Sequence, residues 1–195
     1  MPLRVPVSPL QVWAFVALSL VFFIFLMRAA SSRTSETRSK QDQRSRLGIV
    51  LQSLGFVATG LGPPKVTLAP LSTAGLTGTA VVIVLTAGAV ALFAASSSAL
   101  GRNWSLVART RSDHELVRRG PYARVRHPIY LGMLLFLIAL AAALGHWLQL
   151  VVGLPLFLAG TTIRTRVEDQ LLEQTFGDTF RDYRNSTPAL LPRLF

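Results

Sequence analysis

Four long stretches without a charged residue constrain what this chain can fold into. They run from Val5 to Met27, Leu47 to Pro64, Val66 to Gly101 and Pro128 to Ile163. A helix that crosses a bilayer needs about 20 mainly apolar residues. Only 15% of the chain is charged, against roughly 25% in soluble domains. The pattern predicts an all-α integral membrane protein.

The last stretch is interrupted at Gly145-His146, which indicates two short helices in a hairpin. About five transmembrane helices are therefore expected. Their approximate bounds are 10–27, 47–62, 75–95, 129–144 and 147–163. Residues 1–100 would then hold about three membrane helices, and residues 101–195 the hairpin and a tail. His146, at the tip of the hairpin, is expected to be an interfacial residue beside Trp147.

A cleaved signal peptide is the competing interpretation of the first stretch. The apolar segment from Leu10 to Met27 is longer than a usual signal core, and no small-x-small cleavage site precedes the basic residues that follow. Both features favour a retained membrane helix.

The basic residues are unevenly distributed. With five helices, all of them except Arg4 and Lys65 fall in the first loop, the third loop and the tail, on one face of the membrane. The positive-inside tendency places this face in the cytoplasm and the N-terminus outside, in the plasma (inner) membrane. The net charge of +11 is then explained by contact with membrane lipid, and no nucleic-acid partner is expected. The chain has no cysteine and its three histidines do not cluster, so no metal site is expected.

A dense polar motif lies at the start of the fourth stretch, at residues 120–132. It reads Gly-Pro-Tyr-Ala-Arg-Val-Arg-His-Pro-Ile-Tyr-Leu-Gly. Pro128 suits the first position of a helix, because its missing N–H would be unpaired there anyway. A helix start flanked by arginines is a potential anion site. Tyr122 and Tyr130 offer flat faces for an aromatic ring or a cation.

A second motif begins where the fourth stretch ends. Arg164 is followed by Glu168-Asp169, then by Phe176-Gly177 and Tyr183. If the helix continues, Arg164 and Glu168 share a face, four residues apart. Alone, such a pair can be a simple surface salt bridge. The hairpin would bring both motifs to the same face of the membrane, which favours a site.

In this order, the two motifs resemble those of the isoprenylcysteine carboxyl methyltransferases, which are related more distantly to the membrane phospholipid methyltransferases. The resemblance covers about residues 101–192, roughly half the chain, while the first half matches only as generic membrane helices. It implies S-adenosylmethionine as cofactor and methyl transfer to a lipophilic acceptor at the membrane, such as a prenylcysteine-like carboxylate. The residues that the resemblance implies for cofactor binding are His114, Glu115, Leu116, Val117, Tyr122, Arg126, His127, Pro128, Ile129, Tyr130 and Glu168. It implies Arg164 as the catalytic, substrate-side arginine.

Two other functions remain open at this point. A membrane reductase that uses NADPH would need phosphate donors, which the basic residues between 102 and 126 could supply. A membrane scaffold without catalysis would use the same basic face to contact anionic lipid. The second motif after the expected hairpin favours the methyltransferase over both.

Overall fold

The computed structural model of the protein describes residues 5–31, 43–101 and 116–190. In these ranges the chain forms six α-helices, a short 3₁₀ helix (Gly120–Ala123) and one isolated bridge between Val7 and Val66. The α-helices are α1 (Pro9–Ser31), α2 (Gln43–Gly60), α3 (Thr73–Leu100), α4 (Pro128–Leu144), α5 (Trp147–Phe176) and α6 (Asp178–Ser186). The predicted all-α class is confirmed.

Three of these helices, α1, α3 and α5, are long and apolar enough to cross a membrane. Helix α4 is apolar but shorter, and α2 does not reach the same apolarity. The prediction of about five spans is therefore not confirmed over the described residues. Large apolar side chains such as Trp13, Val84 and Val151 are exposed, as expected of surfaces that face lipid. These features are those of an integral membrane protein.

Helix α5 does not end where its apolar stretch ends. It was predicted at 147–163 but continues to Phe176, because charged residues do not break a helix. It ends at Gly177, whose positive φ of 54° suits glycine. Its 30 residues extend about 45 Å, more than the roughly 30 Å hydrocarbon core. The second motif therefore lies on the polar extension of a membrane helix.

The helices pack as two groups. Helix α3 lies between α1 and α4, whereas α5 packs mainly against α2. Gly145 and His146 connect α4 to α5, but each of these helices packs more extensively on another partner. The predicted hairpin of two mutually packed helices is therefore not confirmed.

An aromatic cluster in the apolar interior joins the two groups. The ring of Phe136 on α4 lies 4.8 Å from that of Phe22 on α1 and 6.2 Å from that of Phe56 on α2, measured between centroids. Phe56 in turn meets Phe157 of α5, edge to face, at 5.8 Å. Such contacts add to the packing of apolar surface. They fix α4 relative to the α2–α5 pair.

Glycines let α2 and α5 approach closely. Gly48 and Gly55 on α2 face Gly160 and Gly153 on α5, respectively. A Cβ added to Gly55 would lie 2.7 Å from the carbonyl oxygen of Gly153, closer than real Cβ atoms come. Small residues at such positions are typical of helix pairs in membranes. The close approach brings polar side chains of α2 within reach of the polar end of α5.

The end of the molecule near Gly145 is closed by connecting segments. The backbone N–H of Val5 donates to the carbonyl of Gly145 over 3.2 Å. His146 is fully buried, and its Nδ1 lies 3.0 Å from the carbonyl oxygen of Thr59. His146, expected at the membrane interface beside Trp147, is thus buried within the protein against the end of α2. Both sequence motifs lie at the opposite end.

Candidate functional site

The two motifs meet at the ring of His127. This residue immediately precedes α4, and its ring lies between two neighbouring carboxylates of α5. Its Nε2 is 2.9 Å from Oδ1 of Asp169, and its Nδ1 is 3.5 Å from Oε2 of Glu168. The contact joins the start of α4 to the polar end of α5.

His127 is a cation in this setting. Burial lowers the pKa of His127, but hydrogen bonds to Asp169 and Glu168 outweigh burial and raise the pKa to about 9. At neutral pH both ring nitrogens then carry protons and can donate. Its side chain is only 4% exposed, whereas that of Glu168 is 26% exposed. A ligand can therefore reach Glu168, while His127 holds the carboxylates in place.

The guanidinium of Arg126 connects α5 to the C-terminal segment. Its Nη2 donates to Oδ2 of Asp169 over 3.1 Å. Its Nη1 donates to the carbonyls of Arg184 (2.9 Å) and Thr187 (2.6 Å). Its two terminal nitrogens are thus engaged with the protein's own acceptors, whereas Nε is buried without a hydrogen-bond partner. Cofactor binding by Arg126 stays a prediction.

The backbone at the start of α4 is also occupied. The N–H groups of Arg126 and His127 each donate over 2.9 Å, to the carbonyls of Pro188 and Ala189. The N–H of Tyr130, in the first turn, donates to the carbonyl of His127. These three N–H groups near the predicted anion site therefore already donate to carbonyl oxygens of the chain.

Arg164, Tyr130 and Glu168 form a compact cluster on the membrane side of His127. The continued helix places Nη2 of Arg164 3.9 Å from Oε1 of Glu168. The guanidinium carbon of Arg164 lies 5.0 Å from the centroid of the Tyr130 ring, within cation–π range. The hydroxyl of Tyr130 donates to Glu168. A buried charge needs such partners, because burial without them is costly.

Sequence reasoning missed Gln52 of α2. Its Oε1 accepts a hydrogen bond from Nη1 of Arg164 over 3.1 Å, and its Nε2 donates to Oγ1 of Thr161 over 2.9 Å. The available signal was an amide inside an apolar stretch, since a polar side chain in a membrane helix needs a partner. Asp169, which was predicted only as the neighbour of Glu168, proves to be a carboxylate shared by Arg126 and His127.

The remaining predicted residues differ in where they lie. Tyr122 is buried in the 3₁₀ helix, where burial and then the charge of Glu168 raise its pKa. Pro128 is the buried first residue of α4, as predicted. Ile129 packs instead on the apolar cluster around Phe22 and Phe93, away from the charges.

The segment before the 3₁₀ helix is described only in part. Val117 is buried and Leu116 is half-buried. His114 and Glu115 lie outside the described residues. Within the described ranges, no group of three His, Asp or Glu side chains could hold a metal ion.

Fold and site together define an all-helical membrane protein with a charged cluster at one end of its helices. Residues 79–174 match the model of the isoprenylcysteine carboxyl methyltransferase (ICMT) family. This region, just under half of the chain, is similar to that family, which confirms the resemblance seen in the motifs. It includes His127, Tyr130, Arg164 and Glu168, whereas Gln52 lies outside it.

Several curated proteins are similar to about half of the chain or less. A protein from Alcaligenes xylosoxydans xylosoxydans named nickel-cobalt-cadmium resistance protein NccN is 34% identical over 54% of this chain and 49% of its own length. The protein-S-isoprenylcysteine O-methyltransferase of Schizosaccharomyces pombe is 32% identical over 47% of this chain and 40% of its own. Methanethiol S-methyltransferase 2 of Bradyrhizobium diazoefficiens is 39% identical over 38% and 27%, respectively. The chain thus spans about half or less of the length of these relatives.

Proposed function

We propose that the protein is a membrane methyltransferase that moves a methyl group from S-adenosylmethionine to a lipophilic acceptor. The observation that carries the proposal is the meeting of both family motifs in one charged cluster, where His127 contacts Glu168 and Asp169 at the end of the membrane helices. The names of two similar proteins, both methyltransferases, support the reaction class.

The accessible groups of the cluster suit the cofactor. Glu168 is the acid that a ligand can reach, and it suits the cofactor's ammonium group or ribose hydroxyls. Tyr122 and Tyr130 are buried, and we propose that their rings pack on the adenine or the sulfonium when the cofactor binds. For Arg126 we propose a supporting role, because its hydrogen bonds to Asp169 and to the C-terminal segment connect the parts of the chain that form the site.

Arg164 is proposed to hold the acceptor. When bound, the cofactor supplies an electrophilic methyl group, which the acceptor atom takes as the bond from methyl to sulfur breaks. A carboxylate acceptor is already deprotonated, so the protein needs no strong general base. Its tasks are alignment and exclusion of water. Arg164 supplies a buried cation that can orient such an anion.

The proposed acceptor is a prenylcysteine-like carboxylate. A cation at the acceptor position favours an anion over a neutral thiol. The apolar surfaces of the membrane helices suit an acceptor that enters sideways from the lipid. The printed name of the Schizosaccharomyces pombe relative supports this acceptor class for that protein, and we extend it to this chain as part of the proposal.

We propose that the protein lies in the plasma (inner) membrane and that the site is on the cytoplasmic side. Arg118, Arg126 and Arg184 lie at the same end as the charged cluster, where Arg118 also donates to the carbonyl of Thr179 in α6. Lys65 lies near the opposite end, hydrogen-bonded to Val7. This sorting supports the orientation expected from the positive-inside tendency.

The test is transfer of radiolabelled methyl from S-adenosylmethionine to N-acetyl-S-farnesylcysteine by membranes that contain the protein. We expect Arg164→Lys to lower kcat/KM by about tenfold or more, because Lys keeps the charge but not the planar fork of donors. The matched control is Arg166→Lys, an exposed position two residues along the same helix. Absence of transfer by the wild type, or equal loss in both variants, would contradict the proposal.

A further inference from the structure

Gln52 contacts the proposed acceptor arginine from a helix outside the matched family region. It is only 2% exposed, and both ends of its amide are used. Oε1 accepts from Arg164 at 3.1 Å, and Nε2 donates to the hydroxyl of Thr161 at 2.9 Å. The donor on Arg164 fixes which end of the amide is oxygen, because a guanidinium can only donate.

The backbone of α2 is close enough to α5 to make this contact because of the facing glycines. A Cβ on Gly48 would collide with the stem of Arg164, and one on Gly160 would lie 2.9 Å from the backbone nitrogen of Gln52. The glycines therefore leave a slot for the Arg164 side chain. Gln52 lies beside this slot, one turn along α2 from Gly48.

The guanidinium of Arg164 is thereby held on three sides. Gln52 receives a hydrogen bond from its Nη1, Glu168 lies 3.9 Å from its Nη2, and the ring of Tyr130 covers its face at 5.0 Å. Long arginine side chains lose much rotamer freedom when they are held like this. A neutral amide can impose that order without adding a second negative charge beside that of Glu168, whereas a carboxylate in its place would add one.

We propose that Gln52 is a positioning residue, which holds Arg164 in the orientation that receives the acceptor anion and keeps its charge available. The inference rests on the proposed function and extends the site to the N-terminal half of the chain. In the proposed site Gln52 contacts neither the cofactor nor the reacting atoms. Its effect should therefore appear in the acceptor's KM and leave cofactor affinity unchanged.

Three variants separate positioning from simple structural support. Gln52→Leu removes both hydrogen bonds at similar size. Gln52→Glu keeps an acceptor toward Arg164 but adds a negative charge that competes with the acceptor anion. The control is Thr59→Val on the same face of α2, whose hydroxyl donates only to the carbonyl of Gly55 in its own helix.

The experiment measures kcat and KM for N-acetyl-S-farnesylcysteine, the Kd of S-adenosylmethionine and the temperature of unfolding, all on purified full-length chain in detergent. We expect Gln52→Leu to raise the acceptor KM about tenfold, the scale of one lost charged hydrogen bond. Gln52→Glu should raise it by about as much through its added negative charge, and both variants should change the cofactor Kd less than about twofold. Thr59→Val should leave both constants as in the wild type. In an Arg164→Lys background, Gln52→Leu should add no further loss, because the two residues act as a unit.

A purely structural role makes a different prediction. It would lower the unfolding temperature and the active fraction, so kcat would fall while the acceptor KM stayed constant; that result would overturn the inference and leave the methyltransferase intact. An unchanged KM in Gln52→Glu would overturn it even if Gln52→Leu failed to fold. Wild-type protein that transfers no methyl would instead overturn the proposed function, and the inference with it.

Discussion

At the scale of single residues, the site consists of charged side chains that form ion pairs with one another. Three cationic side chains, Arg126, His127 and Arg164, face two acids, Glu168 and Asp169. Among these five residues the positive charges exceed the negative ones by one. The surplus favours an anionic ligand group, in agreement with the acceptor proposed for Arg164.

The charge on His127 predicts a pH dependence of stability. Its pKa rises from an ordinary 6.5 to about 9 in the folded protein. A group with a raised folded pKa stabilises fully below its unfolded pKa, and this contribution is lost as pH rises through the folded value. We therefore expect the unfolding temperature to fall between pH 7 and pH 9.5, through loss of about 2 kcal/mol of unfolding free energy.

His127→Gln tests this directly in thermal unfolding experiments across the same pH range. Glutamine cannot become charged, so the variant should be less stable at pH 7 and nearly flat through this window. An equally steep fall in His127→Gln would show that another group is responsible.

Single residues were the hardest feature to predict from sequence. The motifs indicated that Arg126 and Glu168 belong to one site, but local spacing cannot tell which acid an arginine faces. The sequence therefore did not predict that Asp169 and carbonyls near the C-terminus would accept hydrogen bonds from Arg126. The role of Gln52 could not be predicted, because its partner Arg164 lies on a helix that is distant in sequence.

At the scale of helices, the packing of α2 on α5 sets the position of Arg164. We expect Gly160→Ala to destabilise the protein by about 1–3 kcal/mol, the usual cost of overpacking. The added Cβ would lie 2.9 Å from the backbone nitrogen of Gln52, and helix backbones cannot yield as a flexible side chain can. Methyl transfer should fall as well, since the Gln52–Arg164 contact would be displaced.

Gly88→Ala is the matched control on α3. The nearest atom to its added Cβ would be 3.9 Å away, on a leucine side chain. Both variants make the same chemical change in the interior of a helix. Their unfolding temperatures, measured in the same detergent, can therefore be compared directly. A Gly160→Ala protein as stable as Gly88→Ala would contradict the close packing of α2 on α5.

The sequence predicted the helices well but not all of their ends. Apolar stretches located α1 to α5, and α4 differs from its predicted bounds by only one residue. The end of α5 was missed by more than three turns, because a helix can continue through charged residues where an apolar stretch cannot. Which helices pack together was not predictable either, since facing glycines act only once two helices are paired.

At the scale of the whole molecule, the structure sorts the connecting segments between two ends. One end holds His127 and the C-terminal segment, and the other holds Gly145, Lys65 and the residues around Val7. The proposed orientation places the first end in the cytoplasm. The chain has no cysteine, which makes labelling of single introduced thiols free of background.

We expect Leu71→Cys and Asp182→Cys to react differently with a membrane-impermeant maleimide. Leu71 is 80% exposed near the Gly145 end, and Asp182 is exposed on α6 at the other. In intact cells, the thiol at 71 should be labelled and that at 182 protected until lysis. The reverse pattern would invert the proposed topology.

Calorimetric titration of the purified protein measures whether the charged cluster binds S-adenosylmethionine. S-adenosylmethionine and its demethylated product should each bind saturably, and NADPH should not. Glu168→Gln should weaken binding about tenfold, as expected for loss of a charge-assisted hydrogen bond. The control is Glu173→Gln, which affects the ion pairs with Arg181 and Arg184 and should bind as the wild type does. If folded protein bound only NADPH, or none of the three compounds, the result would contradict the proposal that the charged cluster binds S-adenosylmethionine.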